Sequence, residues 1–188
     1  MTLGHFIAIF VAGLAAGTIN TVVGSGSLIT FPTLVTLGYA PLVANVSNNI
    51  GLVPGSVSGM YGYRRELRGQ GRRLLRLAPM SALGGATGSL LLLALPSSVF
   101  KKVVVVLIAI ALVLVVSQPK LARRLAARRE ASVASGNRVP PVLAFLVCAA
   151  GVYGGYFGAG LGIVTIAILN LLLTDTLNRL NALKLLMS

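Results

Sequence analysis

The sequence predicts an all-α membrane protein, a polytopic bundle of transmembrane helices with broken or re-entrant helices at two glycine-rich motifs. Three observations support this prediction: 56% of the 188 residues are hydrophobic, only 10% are charged, and the mean hydropathy is +0.91. Soluble domains carry roughly 25% charged residues. At about 20 apolar residues for each membrane pass, the chain supplies several passes and leaves no length for a soluble domain.

The positive charge is concentrated in two short segments between apolar runs. The net charge is +13, and 12 of the 16 Lys and Arg residues fall in these segments. Because cytoplasmic loops are enriched in Lys and Arg, both segments are predicted to face the cytoplasm, and the charge does not indicate nucleic-acid binding. The two segments contain Arg64, Arg65, Arg68, Arg72, Arg73 and Arg76, and Lys120, Arg123, Arg124, Arg128, Arg129 and Arg138.

The first apolar run, residues 3–38, is too long for a single pass. As one helix it would extend about 54 Å, against about 30 Å for the bilayer core. Residues 20–27, Asn-Thr-Val-Val-Gly-Ser-Gly-Ser, interrupt the apolar pattern with two glycines and several polar side chains. Either two passes meet at this first break, or two half-helices form a re-entrant hairpin.

Three further spans precede the second basic segment. Residues 44–63 are rich in Asn, Ser and Gly, which suits a helix that lines a protein cavity better than one that faces lipid. Residues 74–95 contain the small-residue stretch 81–89 and are predicted to pack closely against another helix. Residues 103–116 carry only apolar side chains and are predicted to face lipid.

After residue 140 the chain re-enters the membrane and repeats the layout of residues 3–38. The second break is residues 151–162, Gly-Val-Tyr-Gly-Gly-Tyr-Phe-Gly-Ala-Gly-Leu-Gly. Three spans separate the two copies, so they are predicted to be inverted repeats of the kind that many secondary transporters use. Chance matching in a glycine-rich chain is the alternative. At one separation of 134 residues, Gly17 matches Gly151, Gly24 matches Gly158 and Gly26 matches Gly160.

The predicted organisation is a first repeat at residues 1–117, a basic cytoplasmic loop at 118–139 and an incomplete second repeat at 140–188. With both basic segments inside, the N-terminus and the turn near Pro41 are predicted to face outward.

Paired motifs in the two copies resemble those of a known family. The first copy reads GLAAGTINTVVGSGSLITFPTL at 13–34 and ANVSNN at 44–49, and the second reads YGGYFGAGLGI at 153–163 and LNALK at 180–184. The chain resembles the sulfite exporter TauE/SafE family of membrane permeases over its whole length. The resemblance implies a multi-pass secondary transporter of the cytoplasmic membrane that moves a small anion, such as sulfite or an organosulfonate, without a cofactor. It also implies further spans after the second motif, so the chain resembles a C-terminally truncated member.

The two breaks are the predicted binding site, because a broken helix at membrane depth persists only beside protein or a watery cavity. Glycine lets the backbone approach a ligand, and the start of a half-helix attracts an anion. For the polar candidates, interhelical packing or helix capping is the alternative. The substrate-binding candidates are Asn20, Gly24, Ser25, Gly26, Ser27, Thr30, Asn45, Ser47, Asn48, Gly158, Gly160, Asn181 and Lys184.

Charged residues are scarce in the second repeat. Lys184 is predicted either to complement a sulfonate or sulfite or to extend to the cytoplasmic interface. Asp175 and Arg179 lie in the preceding loop and are expected to remain solvated. For the glycines outside the candidate site, Gly17, Gly151, Gly154 and Gly155, close packing is the expected role.

Two other classes of protein compete with a transporter. An enzyme is disfavoured because the only histidine, His5, lies at the N-terminus, and because three acidic residues and the single Cys148 supply neither catalytic pairs nor a metal cluster. A membrane scaffold or partner subunit without its own substrate remains as the alternative function. The expected partners are a small anion and the lipid bilayer, with no nucleic acid, and self-association is left open.

Overall fold

The computed structural model describes residues 3–22, 24–96, 98–100, 102–109, 113, 116, 141–173 and 175–187. Within them the chain is helical and contains no strand, which confirms the all-α prediction. Residues 98–100 and 102–109 are helical, and the predicted loop 118–139 lies outside the described residues. The remaining helices are α1 Leu3–Val22, α2 Ser27–Thr36, α3 Pro41–Gly62, α4 Gly71–Ala94, α5 Pro141–Tyr156, α6 Leu161–Leu172 and α7 Leu177–Met187.

Prolines mark two of the helix boundaries. Helix α3 begins at Pro41, where the missing N–H of proline is not needed for the helical ladder. Helix α4 ends at Ala94, because Leu95 takes an extended conformation ahead of Pro96. The predicted spans 44–63 and 74–95 correspond to α3 and α4, and both helices start three residues earlier than predicted.

Helices α1 and α2 form a hairpin. The 10 residues of α2 extend about 15 Å, half the thickness of the hydrocarbon core. A Cβ added to Gly26 would meet the carbonyl group of Ala16, and Ile9 of α1 lines the same small cavity as Thr33 of α2. Because α2 folds back along α1 and is too short to cross, the structure favours the re-entrant alternative for the first break.

Helices α5 and α6 form a second hairpin of the same kind. Leu143 and Val147 of α5 lie in one apolar cluster with Leu169 of α6. Near the tip, the side chain of Leu161 at the start of α6 packs where a Cβ on Gly154 would stand. The layout of residues 3–36 therefore recurs in residues 141–172.

Helix α4 packs along α5 through small residues of both helices. A Cβ on Gly84 would stand 3.0 Å from the carbonyl carbon of Cys148, and one on Gly151 would stand 2.7 Å from the carbonyl oxygen of Ser81. Gly155 is held equally closely against Gly85. The packing predicted for the stretch 81–89 and for these second-repeat glycines is confirmed. Gly17 differs, because a Cβ there would meet no atom within 4 Å.

The surface of α1 suits lipid and not water. Residues Leu3–Thr21 and Gly71–Ala94 are the two described segments that are long and apolar enough to cross a bilayer by themselves. A contiguous exposed apolar surface of this kind marks a membrane or protein contact. The large apolar side chains that α1 exposes, each by more than half, are Leu3, Phe6, Ile7, Phe10, Val11 and Leu14.

A buried ion pair joins the start of α4 to the loop before α7. Arg73 donates from Nη1 to the carboxylate of Asp175 at 2.5 Å, and the two side chains are only 7% and 10% exposed. Arg179 lies 3.4 Å from the other oxygen of the same carboxylate. The expectation that Asp175 remains solvated is wrong, because the Arg73 guanidinium, which the sequence suggested as a solvated loop charge, reaches it across the fold.

Candidate functional site

The two breaks share one backbone design. Helices α1 and α5 end at Val22 and Tyr156, and α2 and α6 begin at Ser27 and Leu161, so both boundaries recur at the separation of 134 residues that the glycines predicted. This agreement is not expected if the glycines match by chance. The orientation of the two copies relative to the membrane stays a prediction.

The hydrogen bonds of the two breaks also correspond. Gly24 and Gly158 have positive φ angles of 82° and 78°, a backbone region that strongly favours glycine. Each donates its N–H to the carbonyl five residues earlier, Ile19 or Tyr153, at 3.2 Å. Both breaks therefore end their first helix in the same left-handed turn.

The tips of the two hairpins touch through their backbones. The N–H of Gly162 donates to the carbonyl oxygen of Gly24 at 3.1 Å. A Cβ on Gly24 would stand 2.5 Å from the Cα of Gly162, so neither position has room for a side chain. This crossing places both breaks at one point in the fold.

The predicted role of Gly24 and Gly26 needs correction. Both were expected to let a ligand reach the backbone, but the space beside Gly24 is filled by Gly162 and that beside Gly26 by Ala16 and Asn20. Glycine is required at these positions because two backbones approach closely there, and a ligand is not the cause. Gly160, which caps the start of α6 with a φ of 72°, also has a conformational role.

A cavity of about 530 Å³ lies beside the crossing of the hairpins. The first residues of both half-helices, Ser27 and Leu161, line it, together with Gly24 and Gly162. Because helix starts attract anions, this arrangement points two such ends toward one space. Of the predicted candidates, Asn20, Gly24, Ser27 and Gly158 belong to this main cavity.

Four polar residues of the main cavity were not among the sequence candidates: Asn49, Ser56, Ser81 and Ser89. Asn49 and Ser56 lie seven residues apart on α3, and Val53 and Met60 of the same lining complete one helical face. A search for that face, anchored on the Asn and the Ser, would have found them. Ser81 and Ser89 flank the packing stretch of α4, and their role in packing obscured their exposure to the cavity.

Three other candidates line a second cavity, of about 170 Å³, between α1, α2 and α3. They are Thr30, Ser47 and Asn48. The hydroxyl group of Thr30 contacts the side-chain oxygen of Asn48, which links α2 to α3. The predicted set is thus divided between two spaces, and only the main cavity is lined by both breaks.

Asn45 holds the end of α5. Its side-chain Nδ2 donates to the carbonyl oxygen of Tyr156 at 3.1 Å, and the residue is fully buried. The capping alternative is therefore observed for this candidate. Ser25 is buried inside the first break, and Asn181 has its side-chain oxygen buried on α7.

Lys184 holds the end of α1 from the opposite side. It is only 1% exposed, and its Nζ lies 3.5 Å from the carbonyl oxygen of Asn20 and 3.4 Å from that of Thr21. A cation stabilises the C-terminal end of a helix, where carbonyl groups lack helical donors. The interface alternative is wrong for this residue, and its action on an anion stays a prediction. Each repeat thus supplies a side chain, Asn45 or Lys184, that caps the broken helix of the other.

Comparison with known proteins matches residues 9–188 to the family described as sulfite exporter TauE/SafE. A Sinorhizobium protein described as probable membrane transporter protein ORF9 is 34% identical over 173 residues, and a Haemophilus influenzae protein described as a probable membrane transporter protein is 30% identical over 165. Each alignment covers 87% of this chain and 62% of the relative. The probable membrane transporter protein YfcA of Escherichia coli is 26% identical over 155 residues, 82% of this chain and 55% of that protein.

The chain therefore spans less than two thirds of the length of these relatives. No solved structure matches it. Because the matching family and relatives are described as exporters and transporters, the enzyme alternative is excluded.

Proposed function

The chain belongs to the sulfite exporter TauE/SafE family, and from this premise we propose that it acts as a multi-pass secondary transporter of the cytoplasmic membrane. Its substrate is a small anion, a sulfur oxyanion or organosulfonate such as sulfite. One observation carries the proposal: the main cavity is lined by the first residues of both half-helices, where the two breaks cross.

Several features of the main cavity support an anionic substrate. The dipoles of α2 and α6 present their positive ends to the space, and the Ser27 hydroxyl and the Asn20 side chain add hydrogen-bond donors. The Lys184 ammonium lies against the carbonyl groups at the end of α1, next to Asn20. A charged donor beside a helix start favours a small anion over a neutral solute.

Not all N–H groups of the half-helix starts are available to such a ligand. The N–H groups of Leu28 and Ile29 donate to the carbonyl oxygens of Ser25 and Gly26, and that of Gly162 donates to Gly24. Side-chain donors therefore carry a larger part of the recognition than the sequence suggested. This makes Ser27 the candidate with most weight, because it both begins α2 and lines the cavity.

A scaffold without a substrate is the competing function. A scaffold would gain nothing from a polar cavity at a helix crossing, since buried polar surface without a ligand or water costs free energy. Two matched breaks that open on one cavity therefore favour transport.

Flux of labelled anions tests the proposal. The purified chain is reconstituted into liposomes, and the release of preloaded ³⁵S-sulfite is compared with that from protein-free liposomes and with the release of labelled chloride. We expect release of sulfite above the protein-free rate and excess unlabelled organosulfonate to compete with it. Release equal to the protein-free rate would favour the scaffold, and equal release of chloride and sulfite would contradict recognition of a sulfur oxyanion.

A further inference from the structure

The turn that ends α1 and α5 leaves one matched carbonyl group at each break without its helical donor. In a regular helix, the N–H groups of Gly24 and Gly158 would bond to the carbonyl groups of Asn20 and Gly154. Both glycines instead donate one residue further back, at 3.2 Å. Asn20 and Gly154 occupy equivalent places in the two repeats, so both breaks must satisfy the same oxygen in some other way.

At the first break a cation within the chain does so. The Nζ of Lys184 lies 3.5 Å from the carbonyl oxygen of Asn20 and 3.4 Å from that of Thr21. The equivalent residue of α3, counted from the aligned asparagines Asn45 and Asn181, is Asn48, which carries no charge. The second break therefore has no lysine at the corresponding place.

At the second break the matched carbonyl oxygen faces a second acceptor. An ideal Cβ on Gly158 would stand 3.1 Å from the carbonyl oxygen of Gly154 and 2.8 Å from Oδ1 of Asn49, so the two oxygens lie close together. Nδ2 of Asn48 lies 3.5 Å from Oδ1 of Asn49 and orients this oxygen toward the break. Two acceptor oxygens beside the negative end of the α5 dipole attract a positive charge.

The surroundings can supply more oxygen ligands. The carbonyl oxygen of Gly155 accepts a hydrogen bond from the Ser89 hydroxyl at 3.4 Å, and both residues line the main cavity with Gly154 and Asn49. All these ligands are neutral oxygens, and the described lining of the cavity contains no carboxylate. Divalent cations usually require carboxylates, so this set favours a monovalent ion.

We propose that the main cavity binds an alkali cation, Na⁺ or K⁺, at the end of α5, with the Gly154 carbonyl and the Asn49 side-chain oxygen as ligands. This ion takes the place that the Lys184 ammonium has at the end of α1. Unwound carbonyl groups at broken helices are suitable cation ligands in membrane proteins. The site does not depend on which anion is carried, and binding of the cation can be measured without transport.

Thermal unfolding of the purified chain in NaCl, KCl and choline chloride of equal concentration tests this site. We expect Na⁺ or K⁺, and not choline, to raise the Tm in a saturable way, because the ion binds only the folded protein. Asn49→Ala removes a ligand and should weaken the apparent cation affinity at least tenfold. Asn49→Asp keeps the oxygen ligand and adds a negative charge, so it should preserve or increase the affinity. The Tm in choline chloride reports whether each variant folds.

Asn170→Ala is the matched control, because the Asn170 amide bonds to the Ile166 carbonyl of its own helix outside the main cavity. Its cation affinity should equal that of the unchanged chain. Equal Tm values in the three salts would overturn the proposal. Equal loss of the response in Asn49→Ala and Asn49→Asp would overturn it too, since Asn49 would then act as a hydrogen-bond donor to the break.

Discussion

Gly162→Ala should abolish anion flux while the chain still inserts into the membrane. The added Cβ would stand 2.7 Å from the carbonyl oxygen and 2.9 Å from the carbonyl carbon of Gly24, and these are backbone atoms that cannot rotate away. Overpacking of this kind usually costs about 1–3 kcal/mol. Separation of the hairpin tips would also break the hydrogen bond from Gly162 to Gly24 and displace the starts of α2 and α6, which line the main cavity.

Gly17→Ala provides the control for this steric argument. It makes the same change in a helix, at a position where a Cβ would meet no atom within 4 Å. We expect its flux to match that of the unchanged chain, because alanine is also the better helix former. Flux is measured in liposomes at equal reconstituted protein. Normal flux through Gly162→Ala would mean that the crossing of the hairpins is not needed for transport.

Asp175→Asn should lower the free energy of unfolding by about 3–5 kcal/mol, the usual cost of removing one partner of a buried ion pair. The substitution leaves the Arg73 guanidinium buried, at 7% exposure, without a compensating charge. It also removes the charge that Arg179 approaches at 3.4 Å. Unfolding of the purified chain in micelles of increasing denaturant content, followed by loss of helical signal, measures the change.

Glu66→Gln is the matched control, since it makes the same carboxylate-to-amide change at a residue that forms no ion pair within the described residues. Its effect should stay below about 1 kcal/mol. A double variant, Arg73→Met with Asp175→Leu, should recover most of the lost stability, because apolar residues of similar size often replace a buried pair without loss. A small effect of Asp175→Asn would show that the carboxylate is hydrated in the membrane.

The sequence predicted the two breaks well because their cause is local. Gly24 and Gly158 must adopt positive φ angles, and the chain between the apolar runs contains few residues that can do so. A period of 134 residues between such glycines therefore carried over directly into matched helix boundaries. The packing of α4 was predictable for a similar reason, since a run of small residues in a membrane helix has few other uses.

The partners of individual polar residues could not be predicted in the same way. Arg73 and Asp175 are separated by 102 residues, and nothing in either segment identifies the other. Asn48 and Asn49 are neighbours in sequence but differ by about 100° around a helix, so only one of them reaches the main cavity. The rotation of α3 depends on the packing of the whole fold.

The affinity of purified protein for an unreactive organosulfonate such as sulfoacetate tests the central claim most directly, namely that the anion binds in the main cavity between the two breaks. Ser27→Ala removes a hydroxyl from that cavity, and Ser47→Ala removes one from the smaller cavity on the other side of α3. A hydrogen bond to a charged ligand contributes about 1.5–3 kcal/mol, so Ser27→Ala should weaken binding by roughly tenfold to a hundredfold. Ser47→Ala should leave the Kd unchanged. Equal Kd values for Ser27→Ala and the unchanged chain, or a loss confined to Ser47→Ala, would contradict the claim and place the anion outside the crossing of the hairpins.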